Sequence, residues 1–485
     1  MTPLRVLSVA SEIYPIIKTG GLADVAGALP IALEAKGIEV CTLVPGYPEV
    51  LHALERLEQQ PGPVSSFGGD ARLLRGRCGG LDLFVLDAPH LFASGGNPYL
   101  SPVGLDWPDN GLRFASLARM AADIGCGAVQ TFIPDIVHAH DWQAALAPAY
   151  LNYEHRPRPR TLMTVHNLAF QGKFPRSLLE EIGLPPESFT VDGVEYYGEI
   201  GFLKAGLRFA EMITTVSPTY ALEIQREEGG MGLGGLLRSR SGNLRGILNG
   251  IDTAVWDPAT DIHIERHFDA STPDYRAANK RALQKQFGLN QDPAALLLGV
   301  ISRLSGQKGL DLLLECVPVI QNEGMQLALL GSGEAELERQ FRGLADTFSE
   351  TIGVVIGFDE ILAHQIQAGA DALVVPSRFE PCGLTQLCAL RYGAVPIVSM
   401  VGGLEDTVAD KTDGKREITG FKFGPVTAQN LAGALRRANA AYRDRLGWRE
   451  IQLNGMSQDL SWKSRAGRYL DLYRELLGVA PAEQQ

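Results

Sequence analysis

Several short stretches of this 485-residue chain combine residue types that could handle a charged or sugar-like ligand. The first is Lys18-Thr19-Gly20-Gly21-Leu22-Ala23-Asp24, which precedes an apolar-periodic segment. Glycines let backbone N–H groups approach an oxygen, a helix N-terminus presents roughly half a positive charge, and Lys18 adds a whole one. That suits an anion or a sugar phosphate, with an ordinary strand–helix loop and a solvated lysine as the plain alternative. The spacing is not that of a P-loop. The second stretch, Ser302-Arg303-Leu304-Ser305-Gly306-Gln307-Lys308-Gly309, follows an apolar run. An arginine fork beside a lysine point charge is a means of holding a diphosphate. At ~4 Å and an effective dielectric of ~20, such a contact is worth up to about 4 kcal/mol before desolvation. The third is Pro376-Ser377-Arg378-Phe379-Glu380-Pro381-Cys382-Gly383-Leu384-Thr385-Gln386. Here Glu380 could accept hydrogen bonds from sugar hydroxyls or could simply cap a helix. Gly402-Gly403-Leu404 repeats the Gly-Gly-Leu pattern of the first loop.

Two histidine-bearing stretches complete the set: His138-Ala139-His140-Asp141-Trp142 and Thr164-Val165-His166-Asn167. A His-x-His pair invites a metal, but no carboxylate–histidine cluster with ligand spacing accompanies it, so no metal is expected. His166 reads either as an active-site group or as a core histidine. Gly331-Ser332-Gly333 lacks the third glycine of a dinucleotide fingerprint, because Glu336 stands there, and NAD binding is not supported.

These stretches must be positioned by the elements around them. Short apolar runs predict strands at Arg5–Val9, Glu39–Val44, Leu81–Leu86, Ile136–Ala139, Leu162–Val165 and Ile213–Val216. A second series follows at Leu296–Ile301, Gln326–Leu330, Val354–Ile356, Ala372–Val375 and Pro396–Ser399. Amphipathic segments between them predict helices at Leu22–Lys36, Asn110–Ile124, Gly309–Ile320, Glu334–Phe348, Leu384–Tyr392 and Ala428–Tyr442. Alternation of apolar strands with helices means parallel sheets covered on both faces, hence two doubly wound α/β domains. The turn-prone Asn249-Gly250-Ile251-Asp252 marks the boundary, giving domains of 1–248 and 249–456. The glycine-rich Glu227–Gly242 reads as a mobile loop, and Ser457–Leu477 as a last amphipathic helix. In open α/β sheets, ligands bind at the carboxyl ends of the strands, where all the stretches above fall.

Composition narrows the possibilities. Lys and Arg number 44 against 56 Asp and Glu, a formal net charge of −12. That argues against nucleic acid or an anionic membrane as partner. With 45% hydrophobic and 21% charged residues the chain is an ordinary globular one. Six scattered cysteines with no C-x-x-C pair suit a reducing cytoplasm. The opening MTPLRVLSVASEIYPII does not read as a secretory leader, and no apolar stretch approaches a membrane span.

Taken together, KTGGLADV, HAHDWQ, TVHNLAFQG, LNGID, SRLSGQKGLD, PSRFEPCGLTQL and GGLEDT resemble the bacterial glycogen synthases and the related plant starch synthases, over nearly the whole chain from Arg5 to about Tyr473. The resemblance implies the GT-B architecture: two Rossmann-like domains facing a central cleft, with the helix within 457–485 crossing back to the first domain. The implied reaction moves glucose from ADP-glucose to the non-reducing 4-hydroxyl of an α-1,4-glucan such as glycogen. It proceeds with retention, with no metal and no cofactor, ADP-glucose being a substrate. By the same resemblance, Lys18, Gly20, Gly21 and Asp24 border the donor, and Arg303 and Lys308 clamp its diphosphate. Glu380 binds glucose hydroxyls, with Cys382, Gly383, Leu384, Thr385, Gly402 and Gly403 close to sugar and phosphate. Asp141 and His166 line the sugar side from the first domain, Asn249 lies near the cleft, and Phe358 stacks near adenine.

Three positions depart from the family pattern. Val401 replaces a threonine common in relatives, Phe358 a tyrosine, and Cys388 a second glutamate that broader retaining relatives carry eight residues after the first. Two other readings stay open: a sucrose- or trehalose-type transferase acting on a small acceptor, and a non-catalytic glucan-binding protein. The sequence leaves oligomeric state open.

Overall fold

The computed structural model describes residues 3–61, 66–94, 96–154, 156–414 and 417–479. In it the strand–helix alternation resolves into two units, Met1–Asn249 with Trp462–Gln485, and Gly250–Ser461.

The first unit is built on a nine-stranded sheet. Its parallel part contains β1 (Arg5–Val9), β2 (Glu39–Pro45), β5 (Leu81–Asp87), β6 (Ile136–His140), β7 (Arg160–Val165), β11 (Met212–Thr215) and β12 (Leu244–Gly246). The order is β12-β11-β7-β6-β1-β2-β5, extended by antiparallel β4 (Arg72–Cys78) and β3 (Glu55–Gln59) at one edge. β1 lies between β2 and β6, with Val6 in register with Val40 and Ile136. Val6, Leu7, Val9 and their neighbours are fully buried, as strands covered on both faces must be. A small antiparallel sheet of β8 (Lys173–Pro175), β10 (Glu199–Gly201) and β9 (Glu195–Tyr196) stands apart. The β3–β4 hairpin was not expected: every residue of β3 is exposed and charged or polar side chains dominate, the usual protection of an edge strand.

The last helix runs Trp462–Leu477, not from Ser457. Asp459 Oδ1 accepts hydrogen bonds from the N–H and hydroxyl of Ser461 (3.1 and 2.6 Å), a local turn that delays the helix. Its Trp462, Tyr469, Leu472 and Tyr473 pack with Val25, Leu29 and Leu33 of the helix Gly21–Glu34, so the chain's end belongs to the core of the first unit. Nor is Glu227–Gly242 an open loop. It contains the helix Gly234–Ser239 with Leu237 fully buried, and Gly230 and Gly234 lie so close to the Arg226 carbonyl that a Cβ on either would collide with it.

The second unit has a six-stranded parallel sheet in the order β15-β14-β13-β16-β17-β18. The strands are β13 (Leu297–Ile301), β14 (Gln326–Gly331), β15 (Ile352–Ile356), β16 (Ala372–Val375), β17 (Val395–Ser399) and β18 (Phe421–Phe423). The expected helix over Gly309–Ile320 is broken at Cys316 into Leu310–Glu315 and Val317–Asn322. Pro318 lacks the N–H that a continuous helix would use there. An unexpected helix, Arg276–Gln286, has few apolar residues because cations do its anchoring. Buried Arg276 donates to the carbonyls of Ala370 and Tyr392, and Lys280 reaches Asp371 at 2.7 Å.

Candidate active site

In the second unit the ends of β13, β16 and β17 lie side by side, and their exit loops converge on one carboxylate. Lys308 Nζ donates to Glu380 Oε2 at 2.6 Å, and Ser377 Oγ donates to the same oxygen at 2.9 Å. Glu380 is only 7% exposed. Its Oε1 accepts no hydrogen bond among the described residues and is left for a further donor.

Backbone contacts fix this carboxylate from three sides. Gly403 N–H is shared between the carbonyls of Glu380 and Pro381 (3.1 Å each), and Ser399 Oγ donates to Ser377 O at 2.5 Å. At Gly402 (φ +43°) a Cβ would collide with the Glu380 carbonyl, and at Gly309 (φ +67°) with that of Pro376. Glycine is therefore required at both places by close approach and by a left-handed backbone. Arg378 completes the stitching. Its guanidinium forks onto Asp311 (2.7 and 2.6 Å) and donates to Gly306 O (2.5 Å), while its N–H donates to Gln307 O (2.8 Å). The loop that bears Lys308 is thereby tied to the loop that bears Glu380. Arg303, on the same β13 exit, is exposed and its side chain makes no ion pair or hydrogen bond among the described residues.

The other candidates of this unit fall around that point. Cys382 is buried, Gly383 takes φ +71°, and Leu384 and Thr385 open the helix Thr385–Tyr392. Phe358 follows β15 at the far edge of the sheet and is 82% exposed. The departures have local accounts: Cys388 is buried in an apolar cluster with Ile251, Leu387 and Leu390, and Val401 packs against Val398, Leu404 and Val408.

In the first unit, the glycine loop after β1 is organised by a residue that the sequence did not single out. Glu12 is 3% exposed and its carboxylate gathers four donors. Oε2 accepts from Thr19 N–H (2.5 Å) and Gly20 N–H (3.2 Å), and Oε1 from Thr19 Oγ1 (2.8 Å) and the Tyr99 hydroxyl (2.7 Å). Burial pushes the Glu12 carboxyl up, against those hydrogen bonds, which pull it down. The amide of Gly20, read as an outward donor, therefore faces a protein carboxylate. Gly21 begins the helix Gly21–Glu34, and Lys18 donates to Asp24 Oδ1 at 2.7 Å across its first turn.

Asp141 and His166 lie together at the ends of β6 and β7. Asp141 is buried with φ +54°, and its Oδ1 accepts the His166 N–H at 2.7 Å. Burial raises its carboxyl to about 7. His166 Nε2 and His140 Nδ1 are hydrogen-bonded at 3.0 Å, and burial pushes the His166 imidazole down to about 3. His138 is hydrogen-bonded to Tyr473 (2.9 Å) and Thr164 (2.6 Å) and pushed down to about 3 by burial. Both nitrogens of His138 are thus satisfied by protein, a core role rather than a ligating one. Among the described residues no cluster of His, Cys, Asp or Glu could hold a metal ion. Asn249 is buried, and its Oδ1 has no hydrogen-bond partner among the described residues. Of the residues missed by sequence reading, Arg378 lay in a stretch already singled out, whereas Glu12 and Tyr99 carried only the faint signal of polar groups within apolar surroundings.

Residues 5–239 match the family model described as the starch synthase catalytic domain, and residues 295–439 that of glycosyl transferases group 1. The chain is 66% identical to glycogen synthase 2 of Bradyrhizobium diazoefficiens, covering 98% of this chain and 99% of that one. It is 60% identical to a glycogen synthase of Rhodopseudomonas palustris, covering 99% of each. Among solved structures, the catalytic domain of starch synthase IV from Arabidopsis thaliana, bound to ADP and acarbose, superposes with a TM-score of 0.89 at 33% identity, covering 98% of this chain and 100% of that one. The GT-B fold follows from that match. Sucrose-phosphate synthase from Thermosynechococcus elongatus shares the fold at a TM-score of 0.61 and 18% identity, covering 98% and 99%. No helix is long and apolar enough to cross a membrane among the described residues.

Proposed function

The chain belongs to the bacterial glycogen synthase family of glucan-elongating glycosyltransferases, and from that premise we propose that its donor is ADP-glucose and its acceptor the non-reducing 4-hydroxyl of an α-1,4-glucan. Glucose is transferred with retention, ADP leaves, and neither a metal nor a cofactor takes part. The enzyme works in the cytoplasm.

The observation that carries this reading is the Lys308–Glu380 pair at 2.6 Å with Glu380 Oε1 uncommitted. An ammonium has three donors, so Lys308 can keep Glu380 and still offer two to a phosphate oxygen. Held in place beforehand, it meets the charge that develops on the departing diphosphate without reorganisation, which is where electrostatic catalysis gains most. Arg303 adds a fork to the same diphosphate, and the helix starting at Thr385 adds its N-terminal dipole. Glu380 Oε1 accepts from a hydroxyl of the donor sugar. Gly402 and Gly403 act by holding Glu380, and Cys382–Thr385 shape the wall beside it. Phe358 offers a ring to the adenine. In the first unit, Asp141 and neutral His166 bind sugar hydroxyls, Lys18, Gly20, Gly21 and Asp24 border the donor, and Asn249 offers its free Oδ1 as an acceptor. The starch synthase IV relative holds ADP together with acarbose, a pairing of nucleotide and sugar that favours this assignment.

The test measures nucleotide release from ADP-glucose and from UDP-glucose, with and without glycogen, for the wild type and for Lys308→Ala and Glu380→Gln. Glycogen-dependent ADP release is expected, with each variant lowering kcat by about 10²–10³. Wild-type turnover in both variants, or equal use of the two donors, refutes the assignment.

A further inference from the structure

The β9–β10 hairpin of the first unit carries an aromatic ring where folding alone does not favour one. Its two-residue turn, Tyr197-Gly198, has φ of +52° and +83°. Turns with two positive φ values are filled at low cost by Asn-Gly or Gly-Gly, and a tyrosine at the first position is strained. Burial does not compensate, since Tyr197 is 81% exposed. The turn is nevertheless held firmly. Glu195 Oε1 accepts the Gly198 N–H at 2.7 Å, and the Tyr196 ring meets Tyr197 edge-on at 4.8 Å. The Tyr196 hydroxyl and Gln171 Nε2 both donate to the Met231 carbonyl, at 3.2 and 3.0 Å. Gln171 lies on the β7 exit that also bears His166 and the half-exposed Phe170, so the hairpin is fastened to the segment assigned above to the sugar side.

A strained, braced and exposed ring points to a ligand rather than to folding. We propose that Tyr197 is a stacking platform for the α-1,4-glucan acceptor, its face covering the C–H face of a glucosyl unit at a distance from the transferred residue. The neighbourhood fits an uncharged polysaccharide. Glu195 and Glu199 flank the turn, and the chain's net charge of −12 disfavours a polyanion. The proposal rests on the glucan-elongation reading for the identity of its ligand.

Asparagine suits this turn better than tyrosine, so Tyr197→Asn removes the ring without endangering the fold. The experiment compares wild type, Tyr197→Asn and Tyr197→Phe by retardation in glycogen-containing native gels, run without donor, and by steady-state kinetics. The expected result for Tyr197→Asn is an unchanged or higher melting temperature and a glycogen dissociation constant and KM raised about three- to tenfold, as for loss of one aromatic contact. Its KM for ADP-glucose and its kcat should not change, and Tyr197→Phe should behave as wild type. Equal retardation of Tyr197→Asn and wild type overturns the proposal, as does a Tyr197→Phe variant that loses as much as Tyr197→Asn. Because retardation needs no turnover, it decides the platform separately from the donor assignment.

Discussion

Glu12 makes the most demanding prediction, because nothing about its chemistry requires it to touch a substrate. Its carboxylate satisfies two backbone N–H groups, of Thr19 and Gly20, and two hydroxyls, of Thr19 and Tyr99. In Glu12→Gln the amide oxygen can keep the two N–H groups, while the NH2 faces hydroxyls that can turn to accept. What is lost is the charge-assisted part of two bonds, about 1 kcal/mol each. Glu12→Ala instead leaves two N–H groups and two hydroxyls without their acceptor in a nearly closed site. At about 1–3 kcal/mol per stranded backbone donor, the observed loop is disfavoured by roughly 2–6 kcal/mol. If Lys18 and Gly21 must be held in this conformation to act, that cost appears in kcat/KM. Glu12→Gln should lose roughly thirtyfold and Glu12→Ala between roughly thirtyfold and twenty thousandfold, at about 1.4 kcal/mol per factor of ten. The assay is steady-state release of ADP with ADP-glucose varied at saturating glycogen. A thermal melt run beside it should show both variants folded. Tyr99→Phe, which removes one hydroxyl donor, should fall near Glu12→Gln. A Glu12→Ala enzyme with wild-type kcat/KM would show that the loop needs no internal acceptor, and the reasoning would fail.

Two further predictions concern elements around the sites. Arg378→Ala removes the fork on Asp311 and the bond to Gly306 O, and should loosen Lys308 relative to Glu380, lowering kcat at least tenfold with a melting temperature shifted by only a few degrees. These bonds are partly exposed and contribute about 1 kcal/mol or less to stability; activity near wild type counts against Arg378 as a positioning residue. The buried imidazoles set a pH dependence. His138 and His166 are pushed down to about 3 and His140 well below its ordinary value, so between about 6.5 and 3 the unfolded chain takes up protons that the folded one refuses. Their contribution is fully present above about 6.5 and is lost as pH falls, by about 1.4 kcal/mol per unit for each histidine. Asp141, raised to about 7, acts in the opposite sense, costing stability as pH rises from about 4 to 7. Three histidines outweigh one carboxyl, so urea midpoints should fall from pH 6.5 to 5; a flat profile contradicts the burial argument.

The parts of the molecule that could be read in advance share one physical property. β16 is apolar throughout and β1 nearly so, because both faces of a parallel strand are covered, and Arg5–Val9 and Ala372–Val375 were legible to the residue. The β3–β4 hairpin was hidden because an edge strand such as Glu55–Gln59 buries nothing and so carries no apolar pattern. The helix Arg276–Gln286 was hidden for the opposite reason: it is buried through Arg276 and Lys280, which a hydrophobic count scores as surface. At the sites, Lys308, Glu380 and the glycine pairs announced themselves by type and position after strands. The direction in which their peptides face did not. Gly403 N–H turns to the carbonyls of Glu380 and Pro381, and Gly20 N–H to Glu12, contacts that depend on how three separate loops fold together.

That inward orientation changes how the acidic chain would handle an anion. The cations of these loops are mostly engaged by acids already: Lys18 by Asp24, Lys308 by Glu380 and Arg378 by Asp311, all within 2.7 Å. Seen from beyond a Debye length of about 8 Å, each pair is nearly neutral, so a net charge of −12 offers a diphosphate no long-range attraction. Discrimination must then come at contact. There a lysine ammonium held by one carboxylate oxygen keeps two further donors, and the Arg303 fork, on the same strand exit, has no partner among the described residues. A site of this kind gives up electrostatic steering and keeps directional recognition. An arriving phosphate is favoured only when its oxygens reach the remaining donors, and an acidic surface elsewhere does not oppose that. A glucan acceptor, being uncharged, meets no such barrier at all. The overall charge and the local chemistry are therefore compatible because they act over different distances.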